Sequence, residues 1–380
     1  MLKLLISLGS SVIVFFLLNC YVGWHFLMMI DGWGVAPSLL WYWLIYGLLA
    51  FSFFLVSLPP SWLLRRHAAY SALVYVSSLY LGIFAIALPL LALADLLGWG
   101  AGLAPLPAGL TAFGSAVYAN GGLAFGIALL CTLYGFYRAR RIALTEYDVV
   151  INKAAPALPQ ARIVMISDLH LGNAAQAPQL DTMVRRVKEL RPDLFLLGGD
   201  VFDHGTTPAL TAHAAAALGS IKATYGSYYV VGNHEHYLGP ADPLANTGMR
   251  RLFDETVEIA GSLYLVGAKD DSFRDRLRTE QLVAPLDRSK PVILLAHQPS
   301  GIAENEMAGV DLQLSGHTHR GQIFPGTLLV RLFHRRHYGY YRCRRLQLIV
   351  SSGAGTWGFP LRIGSQNEMV LIRLEARPPR

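Results

Sequence analysis

The chain has 380 residues, a net charge of +7 and 53% hydrophobic residues, a length that allows two or three domains. Charge is uneven: up to Leu144 only Lys3, Asp31, Arg65, Arg66, Asp95, Arg138, Arg140 and Arg141 are charged, whereas the remainder carries 26 Lys and Arg against 23 Asp and Glu. That near balance argues against a nucleic-acid partner, and three scattered cysteines, Cys20, Cys131 and Cys343, argue against a disulfide framework or a zinc ribbon.

Four apolar stretches, at about 4–21, 39–58, 68–94 and 117–137, are each long enough to cross roughly 30 Å of hydrocarbon as a helix. Soluble helices carry a charged face, and these carry none. Trp24, Trp33, Trp41, Trp62 and Trp99 lie near stretch ends, as an interfacial aromatic belt requires. The loops expected at 22–38 and 95–116 contain no Lys or Arg, while Lys3, Arg65, Arg66, Arg138, Arg140 and Arg141 flank the other ends. Positive charge marks the cytoplasmic side, so both termini are expected inside, in a multi-pass protein of the inner membrane. No small-residue cleavage site closes the first stretch, and Leu17-Leu18-Asn19-Cys20 has Asn where a lipoprotein signal has a small residue, so this stretch is expected to remain as a span. No charged residue sits mid-span, which favours a four-helix anchor, residues 1–144, over an ion path. A lipid-holding surface stays open.

Residues 145–380 read as a separate domain. Residues 147–151 alternate weakly like a strand, and 162–166, 194–197, 228–231, 292–296 and 312–314 are short apolar runs. Helical patterns fall at 179–190 and, rich in alanine, at 208–218. Short buried strands alternating with helices predict an α/β fold with an interior sheet. The later runs end at their carboxyl sides in Asp, Asn or His, where open α/β sheets bind ligands.

These endings are Ser-Asp168-Leu-His170, Gly-Gly-Asp200, Gly-Asn233-His234-Glu, Ala-His297-Gln and Gly-His317-Thr-His319. Imidazole, carboxylate and amide oxygen suit divalent ions such as Mn²⁺, Fe²⁺ or Zn²⁺, and without a cysteine a structural zinc site is disfavoured. On an extended segment Asp168 and His170 would point the same way and grip one ion. A carboxylate such as Asp200 can bridge two ions about 3.5–4 Å apart. Glycines beside Asp200, Asn233 and His317 suit places where backbone must approach the site. Asp203 and Glu235 read either as partners that orient a ligand imidazole or as solvated loop carboxylates; His204, His213 and His236 read as surface residues. The stretch 331–345, with six arginines, two histidines and four aromatics, reads either as a contact for lipid headgroups or substrate phosphate, or as a solvated β-hairpin. Arg320, Arg342 and Arg344 are the candidates for touching substrate.

Asp-x-His, Gly-Asp, Gly-Asn-His-Glu, a lone His and Gly-His-x-His together resemble the calcineurin-like metallophosphoesterases, over about 147–374. Ser-Asp-Leu-His-Leu-Gly and the late Val350-Ser-Ser-Gly-Ala-Gly-Thr-Trp-Gly-Phe-Pro-Leu-Arg look like its membrane-associated bacterial branch. That branch includes transmembrane proteins with a metallophosphoesterase domain and a type of UDP-2,3-diacylglucosamine diphosphatase. Arg320 departs from it, since Gly usually follows the second His there. The resemblance implies a pair of central sheets flanked by helices. It implies one ion on Asp168, His170 and His319, a second on Asn233, His297 and His317, Asp200 between them, and His234 as proton donor or transition-state stabiliser.

The favoured reading is a binuclear hydrolase of a phosphodiester or pyrophosphate at the membrane surface, with Mn²⁺ the foremost metal and a lipid-linked substrate similar to UDP-2,3-diacylglucosamine. Tethering keeps such an enzyme at high local concentration of its substrate. A metal-dependent protein or nucleotide phosphatase is the alternative. His236-Tyr237 after Gly-Asn-His-Glu and Asp203-His204-Gly205 depart from the protein phosphatases. A non-catalytic membrane scaffold would be expected to have lost ligands, and every expected ligand is present.

Overall fold

The computed structural model describes residues 2–57, 67–103, 107–110, 121–172, 177–203, 206–238 and 242–378. Arg65, Arg66, Trp62, His204 and Gly205 lie outside the described residues, as do the ends of the second and fourth apolar stretches. The chain divides into two compact units. One comprises Met1–Tyr137 with Ile323–Pro325 and Gly358–Ile363, and the other Arg138–Gln322, Gly326–Trp357 and Gly364–Arg380.

The first unit is built on α1 (Leu2–Gly32), α2 (Leu39–Ser57), α3 (His67–Leu103) and α4 (Gly122–Ala139). All four are long and apolar enough to cross a membrane. Two helices exceed the expected spans, because apolar and aromatic residues carry α1 through 22–32 and because α3 runs on past Asp95 with Pro89 inside it. The loops expected at 22–38 and 95–116 are therefore partly helical. A polar group links the extensions: the Tyr21 hydroxyl donates to Asp95 Oδ2 at 2.6 Å, and His25 Nε2 lies 3.2 Å from the same oxygen. The two late segments belong here as well. Phe359 stacks on Phe53 with ring centroids 5.7 Å apart, and the Arg362 N–H donates to the Gly135 carbonyl at 3.2 Å.

The second unit holds two six-stranded sheets. The first runs in the order β1 (Ile142–Ile151), β12 (Asn367–Ala376), β2 (Gln160–Ile166), β3 (Leu194–Leu197), β4 (Ser227–Tyr229), β5 (Arg250–Arg251). The second runs β10 (Gly339–Cys343), β11 (Leu346–Val350), β9 (Leu312–Ser315), β8 (Val292–Leu295), β7 (Leu263–Gly267), β6 (Glu255–Ile259). The helices between them are α5 (Ala177–Leu190), α6 (Pro208–Gly219), α7 (Asn233–Leu238), α8 (Thr279–Val283), α9 (Ile302–Ala308) and α10 (Gly326–Phe333). Strands β3, β8 and β9 are buried along their whole length, which is why they read as unbroken apolar runs rather than alternating ones. Ile163, Met165, Leu194 and Leu196 of one sheet share a core with Ile293, Leu295, Leu312 and Leu314 of the other. Full burial of each such side chain contributes about 1.5–3 kcal/mol. Strands β2, β3 and β4 run parallel, as do β8 and β9, so their carboxyl ends emerge in register at one side of each sheet.

Candidate metal centre

Five of those carboxyl ends carry the eight residues. From the first sheet come Asp168 and His170 after β2, Asp200 after β3, and Asn233 and His234 after β4; from the second come His297 after β8, and His317 and His319 after β9. Three groups form among the described residues, with ligand atoms within 4.8 Å of one another in each: Asp168, His170 and His319 make one, Asp200, His297 and His317 another, and His170, Asp203 and His234 a third that shares His170 with the first. In the first, His170 Nε2 lies 2.9 Å from His319 Nε2, and His319 Nε2 lies 3.5 Å from Asp168 Oδ1. In the second, His297 Nε2 is 3.2 Å from Asp200 Oδ2, from His317 Nδ1 and from Asn233 Oδ1. Asp200 Oδ2 also lies 3.7 Å from His170 Nε2, so this carboxylate stands between the groups.

The backbone that delivers these side chains is not extended. Asp168, His170, Asp200, His317 and His319 all have φ between 46° and 71°. Such left-handed backbone is sparsely populated by non-glycine residues and is held only where the surroundings over-determine it. The alternation argument for Asp168 and His170 is therefore corrected: a left-handed turn, not strand pleating, aims them together. Asn233 and His234 likewise begin α7, and successive helical residues diverge by about 100°. Two glycines permit the close approach. A Cβ on Gly232 would come within 2.1 Å of Asp200 Oδ1, and one on Gly316 within 2.2 Å of Asp168 Oδ2.

The donor chemistry suits divalent cations. His297 Nδ1 lies 2.8 Å from the Gly198 carbonyl, which can only accept, so this nitrogen carries a proton and Nε2 faces inward. There Nε2 meets the carboxylate of Asp200 and the amide oxygen of Asn233; burial works against charge on the imidazole, but Asp200 and Asp168 raise its pKa well above the usual value, so the position draws a cation, a proton or a metal ion. His170 Nδ1 lies 3.4 Å from Asp203 Oδ2, a carboxylate close enough to orient the ring with Nε2 inward, toward His319 and Asp200. Burial, helped by the neighbouring His297, lowers His317 to about 4, which keeps it the neutral imidazole that metals bind. Burial pushes the Asp168 carboxyl up. Burial also works against charge on Asp200, but the facing His297 and His170 hold it below the ordinary carboxylate range.

Other residues were less legible. His234 Nδ1 lies 2.7 Å from Asp203 Oδ1; burial disfavours its charge, yet Asp203 and Asp200 raise its pKa above the usual value. Asp203 thus faces two imidazoles. Glu235 faces none: it accepts from the backbone N–H groups of Asp200, Val201, Phe202 and Gly232 at 2.9, 2.5, 3.1 and 2.7 Å. Asp270, buried just past β7 and accepting from Gln298 Nε2 at 3.0 Å, helps raise His297. It follows the same strand-end pattern but stands in Gly-Ala-Lys-Asp, where the intervening Lys masks it. Arg320, next to His319, holds φ 52° with its guanidinium 4.4 Å from the Tyr338 ring, a backbone that glycine would adopt without strain. Arg342 pairs with Gln347, and Arg344 lies in the hairpin turn after Cys343. That is the end of β11 away from Val350, which pairs with Ser315 beside His317. His213 bonds Asp181 at 2.9 Å on the surface, while His236, half-buried, packs its ring 4.2 Å from Phe273.

Two mixed sheets whose loops converge on paired Asp and His groups define a metal-dependent phosphoesterase. The chain belongs to the calcineurin-like phosphoesterases, whose family model matches residues 161–321. An uncharacterized metallophosphoesterase of Helicobacter pylori is 36% identical over 66% of this chain and 70% of the relative. A transmembrane protein with metallophosphoesterase domain from Bos taurus is 31% identical over 62% of this chain and 58% of the relative. Among solved structures, a dimetal phosphatase from Danio rerio aligns with TM-score 0.34 and 14% identity, over 50% of this chain and 86% of that one. The protein is thus a membrane protein with a divalent-metal phosphoesterase domain that acts on a phosphate-containing substrate.

Proposed function

We propose that the protein hydrolyses a phosphodiester or diphosphate bond of a lipid-linked substrate at the cytoplasmic face of the inner membrane, with UDP-2,3-diacylglucosamine the leading candidate. The observation that supports this best is the pair of ligand groups with Asp200 Oδ2 of one 3.7 Å from His170 Nε2 of the other, in a chain with four helices long and apolar enough to cross a membrane. In this reading Asp168, His170 and His319 hold one ion, Asn233, His297 and His317 a second, and Asp200 both; Mn²⁺ is the metal we favour. Ions so held would lower the pKa of water and offset charge on phosphoryl oxygens.

The remaining chemistry falls to side chains. Water oxygen bonds to phosphorus as the opposite P–O bond breaks, and the departing oxygen needs a proton. We assign that role to His234. Asp203 fixes its Nδ1 and, with Asp200, raises its pKa against the effect of burial, which favours the donating form. Arg320, propped on Tyr338, supplies a fork for a phosphate. Arg342 and Arg344, at the far end of their hairpin, are left out of the substrate site. Cleavage of a diphosphate would release a nucleoside monophosphate and a lipid monophosphate.

The test is a panel of lipid diphosphates, nucleotides and phosphopeptides, incubated with the full chain in bilayers and Mn²⁺ and read by mass spectrometry. His234→Ala should keep both metals and its fold yet lose about 10²–10⁴ in kcat, and less with a nitrophenyl leaving group. Turnover confined to soluble nucleotides or phosphopeptides would replace the lipid reading by the phosphatase alternative. Metal loss in His234→Ala would make that residue a ligand.

A further inference from the structure

Among the described residues outside the four spans, large exposed apolar side chains gather on α10. Leu328, Leu329, Leu332 and Phe333 are all exposed, Leu332 at 76% and Phe333 at 81%. At positions i, i+1, i+4 and i+5 they occupy one face of the helix. No residue of α10 is buried. A soluble surface seldom keeps a contiguous patch of this kind uncovered.

The surrounding charge has one sign. Arg331, Arg335 and Arg336 are exposed beside that face, and the sequence contains no Asp or Glu between Asp311 and Glu368. An apolar helical face bordered by arginines is the composition of helices that lie in a membrane interface and attract anionic headgroups. Chain connectivity adds an independent constraint. α10 begins at the residue after Ile323–Pro325, a segment that belongs to the unit of the membrane helices. Trp357, 57% exposed, immediately precedes Gly358–Ile363, the other such segment.

Both features also border the metal centre. His334, just after α10, has its ring 6.1 Å from that of His317, and the Thr318 hydroxyl donates to the His337 carbonyl at 2.5 Å. The Trp357 ring lies 6.3 Å from that of His234, and its backbone exchanges two hydrogen bonds with the Gln322 side chain, at 2.8 and 2.9 Å.

We propose that α10 is an interfacial helix. Its Leu328, Leu329, Leu332 and Phe333 face enters the acyl boundary of an anionic bilayer, with Arg331, Arg335 and Arg336 at the phosphates. The rim of the metal centre then lies at headgroup level, whatever the headgroup it cleaves. This assignment does not depend on the substrate proposed above.

The full chain, with Cys20, Cys131 and Cys343 replaced, is reconstituted in bilayers of phosphatidylethanolamine and phosphatidylglycerol. A fluorophore is attached at Leu332→Cys or, as control, at Met307→Cys on α9, which is 75% exposed. The label at 332 should be quenched by nitroxide lipids, be shielded from aqueous iodide, and report a depth of about 5–10 Å below the headgroups; the label at 307 should show the reverse. Equal access of iodide to both overturns the proposal. Shielding of position 332 from both quenchers also overturns it, in favour of a second copy or another protein covering α10. In the chain with its cysteines intact, a benzophenone amino acid replacing Phe333 should form adducts with phospholipid upon illumination. Adducts to protein only, or none, count against the proposal even if the cysteine-free chain does not fold.

Discussion

Glu235 gathers four backbone N–H groups from two loops, Asp200 to Phe202 and Gly232, and so clamps the loop of Asp200 to the one that carries Asn233. From sequence, Asp203 and Glu235 had the same two readings, because each is a carboxylate beside a site residue. Only the fold separates them: Asp203 lies against the imidazoles of His170 and His234, and Glu235 against peptide groups. The amide of Glu235→Gln has one acceptor oxygen where the carboxylate has two, and it turns an N–H₂ toward backbone N–H groups. A buried donor left without its acceptor costs about 1–3 kcal/mol, so the variant should unfold roughly 2–12 °C lower in a metal-saturated melt. An unchanged melting temperature would show that the clamp contributes nothing.

At the scale of elements, the apolar runs of β2, β3, β8 and β9 were readable because both faces are buried, and the polar residues that end them marked the site. β12 was not, since its partners β1 and β2 lie more than two hundred residues away and local periodicity is blind to such pairing. Nor was the left-handed backbone at Asp168, His170 and His319, because nothing in a non-glycine side chain announces it. The division into two sheets came from family resemblance; strand patterns alone predicted one. The element after β9 depends most on a single atom. Asp168 accepts the His317 N–H at 2.9 Å, which ties the loop after β2 to the loop after β9 across the two sheets. Gly316→Ala would put a methyl 2.2 Å from Asp168 Oδ2, so carboxylate and loop must part. The expected result is loss of activity with a metal content that falls mainly in the group of Asp168, His170 and His319. Elemental analysis should find close to one ion per chain in place of two. Two tightly held ions in the Ala variant would show that the loop yields without disturbing Asp168.

For the molecule as a whole, four helices long and apolar enough to cross a membrane would put the chain's two ends on one side of it, and charge would choose the side. Lys3 precedes α1 and Arg138, Arg140 and Arg141 close α4, whereas no Lys or Arg stands between residues 4 and 64 or between 67 and 137. Cytoplasmic loops attract Lys and Arg, and this charge pattern is what supports the proposed cytoplasmic side for the phosphoesterase domain that follows Arg141. Arginines at 331, 335 and 336 agree with that side, because the cytoplasmic leaflet presents anionic headgroups to basic segments near it. A reporter that fluoresces only in the cytoplasm, fused after Arg380, should be bright, and one active only in the periplasm should be silent. Moving the charge tests the cause: replacing Arg138, Arg140 and Arg141 with Gln while adding three Lys to the 33–38 loop should shift part of the population to the opposite topology. Periplasmic activity of the unaltered fusion would remove both the cytoplasmic orientation and the nucleotide-linked lipid as substrate, while leaving the geometry of the metal centre untouched.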